Sequence, residues 1–158
     1  MNLTAHAAID VPKSAEDVFD MTARLDGFSR FLHAFGPIPA VKGAIIEGGG
    51  EPATGAKRLV SMSDGSVMVE DILELTRPHT HRYKWSKGPK PPFSWLVKSG
   101  EGTWTFTPEP GGAGTRVDWS YTFELTSRAA SPLAAVVIAI FRRWMLKGLA
   151  ELRVVMSH

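Results

Sequence analysis

By type and spacing, Arg58, Glu70 and Asp71 are the residues of this chain best suited to acid–base chemistry. They fall on two strand-like segments, Ala56 to Met62 and Val67 to Thr76, joined by Ser63-Asp64-Gly65-Ser66, whose Asp-Gly step signals a hairpin. Pairing Met62 with Val67 puts Arg58, Val60, Met62, Val67, Val69, Asp71, Leu73 and Leu75 on one face, because alternate strand residues share a side. That face is the more apolar and is expected inward, with Arg58 directly across from Asp71. A partly buried guanidinium–carboxylate pair could orient an acidic or carbonyl-bearing ligand; the plainer alternative is an ion pair at the sheet edge. A one-residue bulge would instead turn Glu70 inward, where desolvation raises a carboxyl toward a useful general base. Arg58, Asp71 and Glu70 are thus the candidate catalytic residues.

Aromatic residues supply the second signal. Tyr83 and Trp85, then Trp104 and Phe106, then Trp119, Tyr121 and Phe123 occupy alternate positions of three further strand-like segments. Each set can turn its rings to one side. A ring of this size buries on the order of 200 Å², worth ~5 kcal/mol at ~25 cal/mol per Å², so the face must meet core or ligand. Pairing Pro108 with Thr115 sets Trp104 opposite Trp119. A buried indole N–H or phenol O–H needs a partner, which a ligand carbonyl or hydroxyl could provide.

Other chemistry finds less support. His79 and His81 lie two apart at an expected strand start near solvent, without a third ligand at zinc spacing, and no metal is expected. His6, His33 and His158 are isolated. Ser61, Ser63 and Ser66 flank a turn rather than a nucleophile elbow. Gly48-Gly49-Gly50 lacks the Lys-Ser/Thr of a phosphate-binding loop and opens no helix.

The elements that position these residues follow from pattern. Leu3 to Val11 predicts a first strand, and Ser14 with Asp17 resembles a capping box opening a short helix to about Ala23. Asp26 is expected to cap a second short helix to about His33, and Ala40 to Glu47 predicts a strand. Three prolines in Lys87 to Phe93 place that loop at a rim. Trp95 to Pro108 and Thr115 to Leu125 predict the last hairpin. Ser131-Pro132 then reads as an N-cap and first helical position of a long helix. On that helix Ala134, Val137, Ile138, Phe141, Met145, Gly148, Leu149 and Leu152 share one face, which grips the sheet, while Arg143, Lys147 and Glu151 lie opposite. Gly148 in the middle of the apolar face allows close approach or leaves space. Leu133, Val136 and Ile140 form a second apolar stripe, available for dimerisation or a peripheral membrane contact unless loops cover it.

Bulk properties narrow the class. The 158 residues fit one domain. A net charge of +2 gives no nucleic-acid footprint, and the absence of cysteine excludes disulfides and thiolate chemistry. No basic segment precedes an apolar core at the N-terminus, so a cytoplasmic location is expected. The longest apolar run, Leu133 to Phe141, has nine residues, whereas spanning a bilayer takes about 20.

The order of strand, two short helices, six strands and a long terminal helix resembles the START/SRPBCC helix-grip superfamily. Gly55-Ala56-Lys57-Arg58 through Ser63-Asp64-Gly65, Val69-Glu70-Asp71-Ile72, Arg82-Tyr83, Gly114-Thr115-Arg116-Val117-Asp118-Trp119 and Gly148-Leu149 are similar to its polyketide cyclase/dehydrase-like branch. The resemblance implies an α+β helix-grip fold, residues 1–158 forming one domain in which a curved antiparallel sheet of about seven strands wraps the C-terminal helix. It also implies a deep, mostly apolar cavity between sheet and helix. The superfamily includes lipid and sterol carriers, quinone-binding proteins, aromatase/cyclases and ligand receptors, with no common catalytic set and no cofactor implied here. The expected function is binding of a small hydrophobic molecule, aromatic, polyketide-like or lipid-like. Its candidate ligand-binding residues are Val60, Met62, Val69 and Leu73, then Tyr83, Trp85, Trp104, Phe106, Trp119 and Tyr121, then Phe141, Met145 and Gly148. The alternatives are a metal-independent cyclase, dehydratase or hydrolase using an inward carboxylate, and a carrier or interaction module.

Overall fold

The computed structural model describes residues 1–157; His158, one of the isolated histidines, lies outside the described residues. Seven antiparallel strands form one sheet in the order β1-β7-β6-β5-β4-β3-β2. They are β1 (Asn2–Val11), β2 (Val41–Ile46), β3 (Lys57–Met62), β4 (Val67–Thr76), β5 (Thr80–Lys87), β6 (Val97–Pro108) and β7 (Thr115–Leu125). Two short helices, α1 (Ala15–Ala23) and α2 (Phe28–Phe31), follow β1, and α3 (Phe93–Leu96) precedes β6. The long helix α4 (Ser131–Met156) crosses the concave face of the sheet. This is the helix-grip architecture.

Local chemistry explains the element ends. Ser14 Oγ accepts from the Asp17 backbone N–H at 3.1 Å, the first half of the expected capping box. Asp26 caps nothing; its carboxylate binds Arg24 and Arg30, and α2 begins one residue beyond Gly27. Trp95 and Leu96, expected in a strand, form the single turn α3 after Pro91 and Pro92. Ser131 is already helical, because a 3₁₀ turn at Arg128–Ala130 feeds directly into α4.

The β3–β4 hairpin differs from expectation in one decisive way. Ser61, not Met62, lies opposite Val67, and the Met62 N–H donates to the Ser66 carbonyl. Asp64 Oδ1 accepts from the Ser66 backbone N–H at 2.9 Å, and Gly65 sits at φ 86°, so the loop has three residues rather than four. Such loops take a left-handed residue in third position, a role glycine fills without strain. A shift of one residue exchanges the faces of β4. Met68, Glu70 and Ile72 therefore point inward, while Val67, Asp71 and Leu73 are exposed and Val69 is half-buried. A second irregularity between Ile72 and Glu74 restores Leu75 to the inner side, packed against the core.

Where β5 and β6 pair, Tyr83 faces Gly102 and Trp85 faces Gly100. A Cβ at Gly102 would stand 2.6 Å from Tyr83 Cζ, and one at Gly100 would stand 2.7 Å from Trp85 Cε2. The two glycines thus let these rings lie flat on the sheet, which keeps the concave face low at this point. Toward the other end the rings stack upward: Trp104 packs on Trp119 at 4.3 Å between centroids, and Phe106 meets Phe19 of α1 at 5.4 Å. That end is solid core.

Candidate functional site

Between the low part of the sheet and α4 lies a cavity of about 250 Å³. Val60, Met62, Met68, Tyr83, Trp85 and Tyr121 form its sheet wall, with Trp119 at the inner end. Helix α4 contributes Val137, Ile140, Phe141 and Trp144. The mouth is framed by two proline-bearing segments, Pro37-Ile38-Pro39 and Pro89 to Phe93, the second in the rim position its prolines predicted. Lys90 Nζ donates to the Asp64 carbonyl, tying this loop to the β3–β4 turn.

Glu70 is the buried carboxyl on the wall. Arg58, directly across, donates from Nε to Glu70 Oε1 at 2.8 Å, and its Nη2 approaches the same oxygen at 2.7 Å but off the hydrogen-bond direction. The Arg58 guanidinium lies over the rings of Phe28 (5.2 Å) and Tyr83 (4.9 Å). Its Nη1 is 3.1 Å from His81 Nε2. A guanidinium only donates, so Nε2 accepts and the His81 proton resides on Nδ1, which has no partner among the described residues. Burial pushes the Glu70 carboxyl above its ordinary range despite the adjacent arginine. His81 is held well below its ordinary value, first by burial and then by the Arg58 charge.

Two phenols add to the polar lining. Trp104 Nε1 donates to Tyr83 Oη, and Trp85 Nε1 donates to Tyr121 Oη, each at 3.2 Å. These indoles therefore find their partners inside the protein rather than in a ligand, and because the two hydroxyls also bond to each other the phenol pair keeps one proton to give. Burial pushes the Tyr83 hydroxyl up to about 12 and the Tyr121 hydroxyl well above its usual value, so both remain protonated donors. The Trp119 indole N–H has no partner among the described residues, and its ring lines the cavity.

The structure brings together Arg58 and Glu70, and of the ligand-binding candidates Val60, Met62, Tyr83, Trp85, Trp119, Tyr121 and Phe141. It separates the others. Asp71 does not pair with Arg58: the register shift turns it outward, where Lys57 Nζ lies 3.0 Å from its Oδ1. Val69 and Leu73 leave the inner face for the same reason. Trp104 is covered by Phe28 and Phe31, and Phe106 by Phe19, so these rings fill rather than line. Met145 is fully buried. Gly148 leaves no space, because Leu32 occupies it: a Cβ there would stand 2.7 Å from Leu32 Cδ2. Leu133 and Val136 are exposed, as the second stripe on α4 required, whereas Ile140 turns toward the cavity.

Sequence pattern alone missed several contributors. His81, expected near solvent, is buried; it shares parity with Tyr83 and Trp85, which was the signal for an inward position. Trp144 follows Phe141 by three residues on the gripping face. Phe28 and Phe93 sit in short helices whose orientation depends on tertiary packing, and no local pattern identified them.

A curved sheet closed over a long helix, with an apolar cavity between them, defines a helix-grip protein. More particularly, residues 3–156 match the polyketide cyclase/dehydrase and lipid transport family, and the chain belongs to it. Similar solved structures include a protein from Thermus thermophilus (20% identity, TM-score 0.70, covering 98% of this chain and 97% of that one). Ginseng major latex-like protein 151 from Panax ginseng is 12% identical, with TM-score 0.69 and coverage of 98% and 97%. The di-domain ARO/CYC BexL of the BE-7585A biosynthetic pathway is 18% identical, with TM-score 0.69, and aligns over 96% of this chain and 49% of its own. At these identities the likeness establishes the fold. No curated protein matches the sequence. Family and fold are consistent with ligand binding in a hydrophobic cavity. Among the described residues no helix is long and apolar enough to cross a membrane.

Proposed function

We propose that this protein binds a small hydrophobic molecule, aromatic or polycyclic, between the sheet and α4. The observation that carries this reading is the cavity itself: space beside Tyr121, Phe141 and Trp85 that the surrounding aromatic residues do not fill. Close packing leaves few voids larger than a water molecule in an ordinary core, so an apolar space of this volume is maintained at a cost that ligand contact would offset. Ligand pockets span roughly 300–1,000 Å³, and a cavity near the lower bound favours a compact ring system over a long acyl chain. Native mass spectrometry of the purified protein tests the reading. Co-purified small molecules, or saturable uptake of added aromatic compounds, are expected; a protein that takes up none at high micromolar concentrations would contradict it.

One observation favours a second reading, an enzyme of the cyclase or dehydratase type. Glu70 is buried, lines the cavity and has a raised pKa, as a general base for carbon acids requires. It would take a proton beside a carbonyl whose oxygen accepts from Tyr83 or Tyr121. Incubation with a poly-β-ketone analogue, followed by mass spectrometry, should then show loss of one water in the wild type and none in Glu70→Gln. Unchanged substrate in both would exclude this reading for that substrate class and leave binding untouched.

A further inference from the structure

The polar end of the cavity is chemically one-sided. Glu70 reaches the lining and Arg58 stays behind it, packed under Phe28 and Tyr83 with its Nη1 on His81. Both close approaches from Arg58 converge on Oε1, so Glu70 retains acceptor capacity on its other oxygen. Tyr83 and Tyr121 have each accepted an indole N–H and also interact with each other, so the pair offers one O–H donor. The other charged residues of the lining, Asp64 and Lys90, lie at the exposed mouth and touch each other through the Asp64 carbonyl. An incoming molecule therefore meets one anionic acceptor and a neutral hydroxyl donor, with no inner cation free to take an acid.

Resting on the cavity reading above, we propose that the site selects uncharged ring compounds that carry a phenolic or enolic hydroxyl, and rejects carboxylates such as fatty acids. The hydroxyl donates to Glu70, and a second oxygen on the ring system accepts from Tyr83 or Tyr121. Glu70 is the specificity-determining residue. A charge-assisted O–H···carboxylate bond is about twice as strong as a neutral one, whereas a ligand carboxylate would place two like charges in a poorly hydrated space. Removing the hydroxyl proton by methylation leaves the ring fit intact and deletes only this bond.

Titration calorimetry of the whole protein near neutral pH with naphthol, its methyl ether and naphthoate tests the proposal. Naphthol is expected to bind about tenfold or more tighter than the ether, and naphthoate more weakly than either. In Glu70→Gln the preference for naphthol over the ether should shrink to a few-fold, and naphthoate should gain. Because Glu70→Gln strands the Arg58 charge, Arg58→Met/Glu70→Leu serves as a second variant, and the three-ligand comparison in the wild type stands without either. Equal binding of naphthol and ether, naphthoate binding as tightly as naphthol, or an unchanged ligand ranking in both variants overturns the selectivity while the cavity reading survives. Failure of all three ligands, the ether included, removes the cavity reading and this inference with it.

Discussion

Arg58 donates from Nε to Oε1 of Glu70 at 2.8 Å, across neighbouring strands and inside a shell formed by Phe28 and Tyr83. Only 2% of the arginine side chain and 7% of the glutamate side chain are exposed, so neither partner can recover hydration if the other is removed. Loss of one member of a buried pair costs about 3–5 kcal/mol, whereas replacing both with apolar groups is often neutral. Arg58→Met alone should thus lower the denaturation midpoint strongly, and Arg58→Met/Glu70→Leu should recover most of the loss. Chemical denaturation of the single and double variants measures this. Strictly additive losses would show that the pair does not act as a unit.

His81 gives a pH signature. Its native value is depressed, so below about 6.5 the unfolded chain binds a proton that the folded chain resists. The stability associated with neutral His81 is present above 6.5 and is lost as pH falls toward the depressed native value, with a slope approaching 1.4 kcal/mol per pH unit. Glu70, raised in the folded state, acts with the opposite sign above 4.5, so the wild-type curve combines the two. His81→Gln keeps an acceptor for Arg58 and removes the titration. Denaturant unfolding between pH 7 and 5 should show the wild type losing stability relative to His81→Gln as pH falls, because the Glu70 contribution is common to both proteins and drops out of the difference; parallel profiles would contradict the assignment.

Gly102 and Gly100 set the floor of the cavity. Gly102→Val would drive a side chain into the Tyr83 ring and break the Trp104–Tyr83 hydrogen bond. Overpacking of this kind costs about 1–3 kcal/mol. Thermal unfolding should report that loss, with ligand affinity falling as Tyr83 tilts into the cavity. Unchanged stability and affinity would mean the ring has room that the contact distances deny.

Gly148 offers a milder perturbation. Alanine is better than glycine in a helix by about 1 kcal/mol, but its Cβ would displace the end of Leu32, which lines the cavity. Gly148→Ala should hold stability within about 1 kcal/mol and weaken ligand binding, and Leu32→Ala in the same chain should restore uptake. Calorimetric titration of both variants distinguishes this coupling from a purely helical effect.

The fold was legible because its signals are repeated: seven runs with strand pattern, proline and glycine between them, and one long apolar-faced helix. The Trp104–Trp119 pairing was legible for the same reason, since the β6–β7 hairpin carries no irregularity between that pair and its turn. The β3–β4 hairpin carried too little information to fix its register. Val67, Val69 and Leu73 make the wrong face of β4 the more apolar one, and the choice between a three- and a four-residue loop depends on Gly65 and the Asp64 side chain. Glu70 and Asp71 exchanged roles on that single residue. The cavity boundary was legible only in part, because Phe28, Phe93 and Leu32 reach it from short elements placed by packing, and because space left by glycine can be filled from elsewhere, as Leu32 fills it beside Gly148.

Filling the cavity shows whether ligand binds between the sheet and α4. Val137 is half-buried on α4 and borders the space, so Val137→Trp can occupy it with little disturbance of the sheet. Titration of naphthol into the wild type and Val137→Trp should give saturable one-to-one binding in the first and a loss of at least about tenfold in the second, at comparable thermal stability. Equal binding by both proteins, or none by the wild type, would contradict a ligand site between the sheet and α4.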